Sequence, residues 1–419
     1  KTMKTFTIIF FFFLSYSQSF SQWIQHPLGT TAAIERVKFL NKNTGWCCGA
    51  GGLLRKTTDG GANWISVSNP AGGKYLADLH IVDTNIVYVA GYFETILKTT
   101  NGGVNWIEIR NGPFGIGNVF LSCYFINENT GWIGGRNEFP QKIFKTTNGG
   151  ITFDSTSINQ ASDITDIYFK NENEGLASGF IKDLYKTTNG GTSWFDSQIN
   201  LPTNWPSFLR MSFVNDLTGY VPAGDGRVFK TTNFGTSWDT VSRIQGTGNN
   251  FMMCIEFVNL NTGWIGGESG LLFKTSNAGL NWLREAIGFG SYIDINFESD
   301  SIGFVCGTPG KIFKTTTAGQ SVVFVSNETQ LTKNFELSQN YPNPFNNETV
   351  IQFSLKEKGN YKLEVFNILG KKVETLFNKQ MEGGNYKVNF TADKLPSGTY
   401  IYRLSSEKNS ITKKFLLIK

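Results

Sequence analysis

The chain has 419 residues, with 38 basic and 33 acidic groups and a formal net charge of +5. Residues 22–334 carry 23 basic against 25 acidic groups and residues 335–419 carry 13 against 8, so no basic stripe covers the bulk of the chain and no nucleic-acid partner is expected. Aromatic residues at 14%, with 46 Gly and only 11 Pro, describe a core-forming chain; with His26 and His80 as the only histidines, no metal, no cofactor and no His-based triad is expected.

The first segment reads as an export signal. Lys4 is a positive start, and the apolar run from Phe6 to Leu14 is too short for the roughly 30 Å of a bilayer core. Small residues at Ser19 and Ser21 place a cleavage site before Gln22, and no later run is long and apolar enough for a transmembrane helix. The five cysteines, 47, 48, 123, 254 and 306, have no metal or redox spacing and read as small apolar strand residues. Cys48 and Cys306 share one repeat position in the first and last repeats, but neighbouring blades usually lie beyond the roughly 7 Å that a disulfide spans, and no bond is predicted.

A repeat organises the next 300 residues. RKTTDGGANW, KTTNGGVNW, KTTNGGITF, KTTNGGTSW, KTTNFGTSW, KTSNAGLNW and KTTTAGQSV align, with lysines at 56, 98, 145, 186, 230, 274 and 314. A period near 43 with four short strands per unit predicts an all-β, seven-bladed propeller. Each unit also has an upstream strand pair, best seen in VKFLNKNTGWCCG, CYFINENTGWIGG and IEFVNLNTGWIGG, which alternates around Asn/Gly turns. In the repeated turn a Thr hydroxyl and an Asp or Asn side chain satisfy backbone groups, Gly supplies a positive φ, and the aromatic that follows packs between blades.

This pattern resembles the Asp-box of bacterial neuraminidase (BNR) repeats, matched by Thr57, Asp59, Gly61 and Trp64. Asn replaces Asp at Asn101, Asn148, Asn189, Asn233 and Asn277, and the aromatic recurs at Trp106, Trp194, Trp238 and Trp282. The whole unit, GWxxG before KTTDGGxxW, is similar to the propeller of the photosystem II assembly and stability factor family. With strands named A to D in each blade, Trp23 to Gln25 matches the D strands and invites a ring closed by the N-terminus, with Val322 to Val325 competing for that place.

The box and the A–B turn project from one face and stay nearly constant, whereas the D–A and B–C loops project from the other and vary. That second face is nominated for recognition of a surface protein or glycan. Its candidates are Tyr92, Glu94, Arg136, Phe139, Trp205, Asp225, Arg227 and Glu268, with Phe139 and Trp205 as aromatic anchors. Glycoside hydrolysis is the enzymatic alternative, since Asp-box proteins include sialidases, and Asp225 with Glu268 are the carboxylates on offer. No sialidase-type FRIP motif is present and no catalytic residue is assigned. An assembly-helping role is the third reading, implied by the photosystem resemblance.

After the linker SNETQLTKN, strands of five to eight residues predict a small Ig-like antiparallel sandwich. NYPNPFN, VFNILGKKV, LPSGTYIYRL and KKFLLIK resemble the type A C-terminal sorting domain of the type IX secretion system. That resemblance implies handling by the type IX machinery through residues 335–419 and a product released or attached at the outer-membrane surface. The expected organisation is a signal peptide over 1–21, propeller over 22–325, linker over 326–334 and sorting domain over 335–419.

Overall fold

The computed structural model describes residues 23–110, 118–136, 141–158, 163–180, 184–199, 207–248, 250–288, 290–318, 335–407 and 409–418. Trp23–Ala318 forms one compact unit, and the strands from residue 335 onward belong to another.

The first unit is a ring of seven sheets, antiparallel throughout but for Gln198–Ile199, which adds to the fifth in parallel with Ser237–Arg243. Blade two is typical, with Leu76–Ile81, Val87–Gly91, Ile96–Thr99 and Ile107–Arg110 as strands A to D in that spatial order. The seventh blade takes its D strand from the other end of the chain. Ile24–Pro27 pairs with Lys311–Thr315, outside Gly303–Thr308 and Ser291–Phe297. Residues 322–325, the competing strand, lie outside the described residues. The five cysteines are buried and free.

Apolar residues gather between blades rather than within them, because each sheet has two faces to cover. Separate core clusters fill the successive interfaces, and the closing one joins Ile34, Val37 and Cys47 of blade one to Phe304, Cys306 and Ile312 of blade seven. A stacked pair recurs there. The aromatic of one B strand lies flat on the A-strand Phe of the next blade, as in Tyr88 on Phe125, Trp132 on Phe169, Tyr220 on Phe257, Trp264 on Phe297 and Phe304 on Phe39. Each pair is worth about 0.5–1.5 kcal/mol beyond its buried area.

The boxes behave as the sequence chemistry requires. Thr57 Oγ1 donates to Asp59 Oδ1 at 2.8 Å and accepts from the Gly61 N–H at 2.9 Å, while Asp59 Oδ1 accepts from the Asn63 N–H at 2.9 Å. The Asn boxes repeat it, for example Thr99 with Asn101 at 3.0 Å and Gly103 N–H on Thr99 at 2.9 Å. The second box glycine is also a packing residue. A side chain on Gly103 (φ +87°) would strike the Trp46 ring of the preceding blade.

Several blades are then latched to the next by the repeat lysine. Lys56 donates to Gly102 O at 2.6 Å, Lys98 to Gly149 O at 3.0 Å and Lys274 to Ala318 O at 2.7 Å. Lys314 donates to Gly60 O at 2.6 Å, across the closing interface. The same ammonium groups sit over the B-strand aromatics, Lys56 5.0 Å from the centre of Trp46 and Lys314 5.6 Å from that of Phe304.

The C-terminal unit is a two-sheet antiparallel sandwich. One sheet orders Glu336–Leu337, Glu348–Leu355 and Gly384–Thr391; the other orders Lys372–Met381, Gly359–Asn367, Gly398–Ser405 and Ser410–Leu417. Its core includes Phe353, Leu363, Tyr402 and Phe415. The NYPNPFN segment is held by buried Asn340, which donates to Thr349 Oγ1 at 2.9 Å and to Pro342 O at 3.0 Å.

Candidate functional site

Strand A lines the axis of the ring and has no sheet neighbour on that side. In six blades it carries a β-bulge at one repeat position, ending at Arg36, Asp78, Ser122, Asp166, Cys254 or Asp294. In blade five the ladder is interrupted between Phe208 and Ser212, at the level of Pro222, which brings no N–H. Bulges re-aim side chains. Here Arg36, Asp78, Asp166, Arg210 and Asp294 line the central channel.

These side chains stitch each blade to the next. Asp294 accepts from the Val37 N–H at 3.0 Å, Asp78 from Cys123 at 2.8 Å, Ser122 from Ile167 at 3.0 Å and Asp166 from Met211 at 2.8 Å. Inner-edge amides that a ladder would have used are thereby satisfied. Arg36 joins them across the axis, bonded to Asp78, to Asp294 at 2.9 Å and to Asp166 at 3.6 Å. Burial pushes the Asp78 carboxyl up, but the Arg36 and Arg210 guanidiniums and the hydrogen bonds from Arg36 and the Cys123 N–H together outweigh it, and the group ends below the ordinary range. At Asp166 burial wins and the carboxyl is raised, against the opposing pull of Arg210 and Arg36.

One step further along strand A, toward the A–B turns, a second level shares with the Arg36 level a half-enclosed cavity of about 270 Å³, to whose lining it adds Lys38, His80, Tyr124, Tyr168 and Glu256. His80 lies 4.7 Å from Tyr124, and Tyr124 lies 5.5 Å from Tyr168, between ring centres. Burial holds the His80 imidazole down at about 4 and lifts the Glu256 carboxyl to about 7, with Lys38 opposing the lift. Ser212 and Asn296, at the same level, accept from the Phe257 and Phe39 N–H groups.

Of the residues nominated from sequence, the described ones sit on the opposite, loop face. Tyr92 packs 4.8 Å from Tyr75, whose hydroxyl donates to Glu35, a residue within the blade-one bulge. Arg136 bonds Asp163 at 2.6 Å with its side chain 64% exposed, and Tyr92 feels the charges of both. The structure therefore brings Tyr92 and Arg136 into one neighbourhood, together with Glu35, Tyr75 and Asp163, which the sequence reading missed. Glu94 pairs with Arg110 at 2.7 Å and with Asn118. Asp225 pairs with Arg227 at 2.7 Å, and Glu268 accepts from the Phe251 N–H at 3.0 Å, each within its own blade. Phe139 and Trp205 lie outside the described residues.

The Tyr92 loop is unusual in backbone as well. Its turn residues Phe93 (φ 60°) and Glu94 (φ 53°) are both left-handed, where blade one uses Gly51 and Gly52. Holding two such non-glycine residues costs on the order of 1–3 kcal/mol each, the kind of strain that gathers at binding loops.

The channel was legible only in alignment of the repeats, since its positions recur every 40 to 44 residues. Among the described residues, no helix is long and apolar enough to cross a membrane, and no group of three His, Cys, Asp or Glu is arranged to hold a metal ion.

Comparison with known proteins follows the division of the chain. Residues 15–114 match the model of the photosynthesis system II assembly factor YCF48 family, and residues 339–419 match that of the secretion system C-terminal sorting domain. No curated protein matches the sequence. Among solved structures, YCF48 bound to D1 peptide superposes with a TM-score of 0.58 at 18% identity, over 72% of this chain and 99% of that one. YCF48 from Cyanidioschyzon merolae gives 0.58 at 19% over 70% and 98%, and the WD40 propeller domain of Doa1 gives 0.55 at 14% over 70% and 97%. The sorting-domain match indicates export through type IX secretion to the cell surface or the extracellular space. The chain is a β-propeller similar to the photosystem II assembly factor YCF48, followed by a C-terminal domain similar to those that address proteins to a secretion system.

Proposed function

We propose that this is an exported binding protein whose propeller recognises a polypeptide at the cell surface through its loop face. The observation that carries the reading is the Tyr75–Tyr92 aromatic step beside exposed Arg136, mounted on a turn with two left-handed non-glycine residues. A rigid aromatic anchor next to a charge is the usual composition of a recognition hot spot. The structural relative that carries a D1 peptide supports a peptide as partner for a ring of this fold. Glu94, Asp225, Arg227 and Glu268 form its charged rim, and Phe139 and Trp205 are the anchors nominated from sequence alone. In this reading the C-terminal domain is the address label, handled by the type IX machinery and dispensable for binding.

Panning a displayed random-peptide library against the full chain tests the site. Selected peptides should lose affinity by about tenfold or more with Tyr92→Ala and with Arg136→Ala, as for hot-spot residues. Peptides that bind both variants as tightly as the parent would remove this patch from the function.

A further inference from the structure

The two levels of the central channel differ in one respect. Around the Arg36 level the charged groups are spent on one another and on backbone amides. At the next level Lys38, Tyr124, Tyr168 and Glu256 form no side-chain hydrogen bond or ion pair among the described residues, although all four are half-buried and line one cavity. Buried polar groups normally find partners, so four left open around a shared space point to something that fills it.

The cavity has two unlike walls. Blades two to four contribute His80, Tyr124 and Tyr168, a run of aromatic rings inclined 59° and 69° to one another; blades six and one contribute Glu256 and Lys38, an acceptor and a donor. A half-enclosed cavity of about 270 Å³ suits one small ring compound rather than a chain. The complementary ligand has an apolar face for the aromatic wall and several hydroxyls around its edge for the ammonium, the carboxyl and the two phenols. Arg36, Arg210, Asp78, Asp166 and Asp294 line the same cavity but are paired with one another, which leaves Lys38 and Glu256 as the cation and the anion open to a ligand, so no net ligand charge is called for.

We propose that the cavity on the box face of the propeller binds a single neutral pyranose ring, free or at the end of a glycan. The site lies across the ring from the loop-face patch and stands independently of it. One ring would stack on the face of Tyr124 or of Tyr168, which stand 69° apart, while Lys38 Nζ donates to a hydroxyl and Glu256 accepts from another.

Saturation-transfer NMR on the full chain with methyl glycosides of glucose, galactose, mannose and N-acetylglucosamine reads binding of the free sugar, and a glycan array reads binding of chain ends. Signal from at least one pyranose in either format is expected. Glu256→Gln and Lys38→Gln should each weaken it by about tenfold, the loss of one charge-assisted hydrogen bond. Tyr124→Phe, which deletes only a hydroxyl, gives a second reading that does not depend on how the channel tolerates a lost charge, and should weaken binding several-fold. Tyr92→Ala and Arg136→Ala should leave sugar binding intact, so failure of this site and failure of the peptide site are separable. Silence from every pyranose, binding unchanged in all three channel variants, or a preference for a free zwitterionic amino acid would overturn the proposal.

Discussion

Arg36 is the residue on which most of the ring's interior charge depends. It is 4% exposed and faces Asp78, Asp166 and Asp294 from three other blades. Removing one partner of such a cluster leaves carboxylates buried without a counter-charge, so Arg36→Met should destabilise the propeller by about 3–5 kcal/mol in urea denaturation. A change below 1 kcal/mol would mean that the acids find water or protons instead. Glu256 gives a prediction in pH. Its neighbours are Lys38, Arg36, Asp294 and Asp166, and its folded-state value near 7 lies above the ordinary 4.5. A carboxyl raised on folding contributes stability that is complete below about 4.5 and lost as pH climbs through about 7. Glu256→Gln should therefore flatten that part of the stability profile, whereas parallel profiles for parent and variant would show that the group titrates normally. Little of this was readable beforehand. The channel positions are Arg, Asp, Ser, Asp, Arg, Cys and Asp, so no shared residue type marks them, and only the bulge that turns them inward brings them together.

At the scale of the element, the Asp-box shows why its sequence was so informative. Its hydrogen bonds run within seven residues, so turn chemistry alone specifies it, and Asn101 or Asn189 does the work of Asp59 without a charge. Asp59→Asn should accordingly be near neutral, and Asp59→Ala should destabilise by about 1 kcal/mol, the worth of a turn-capping hydrogen bond. Equal losses in the two variants, measured by thermal melting, would contradict the equivalence. Gly103 separates conformation from packing. Gly72→Ala has a positive φ with open space around it and should lose only about 1 kcal/mol, while Gly103→Ala adds a collision with Trp46 and should lose clearly more. By contrast the pairs Glu94–Arg110 and Arg136–Asp163 join residues across loops of variable length, and periodicity carries no information about them.

For the whole molecule, closure is the decisive feature. Trp23 Nε1 donates to Glu285 at 2.7 Å, Ile24–Pro27 completes the last sheet, and Leu28 enters the core between the last and first blades. Truncation of residues 23–28 should open the ring, exposing the edge of Lys311–Thr315, with a lower melting temperature and concentration-dependent aggregation. An unchanged melt would mean that the last blade is closed by another segment. The match between Trp23 to Gln25 and the other D strands made this arrangement legible, because a D strand carries the same pattern wherever in the chain it lies. Recognition without catalysis on the loop face is checked by offering the full chain both displayed peptides and glycans while assaying released reducing sugar and sialic acid. Peptide binding that depends on Tyr92 and Arg136, with no turnover, is the predicted result. Sugar release abolished by Asp225→Asn or Glu268→Gln would contradict it and make the rim carboxylates a catalytic pair.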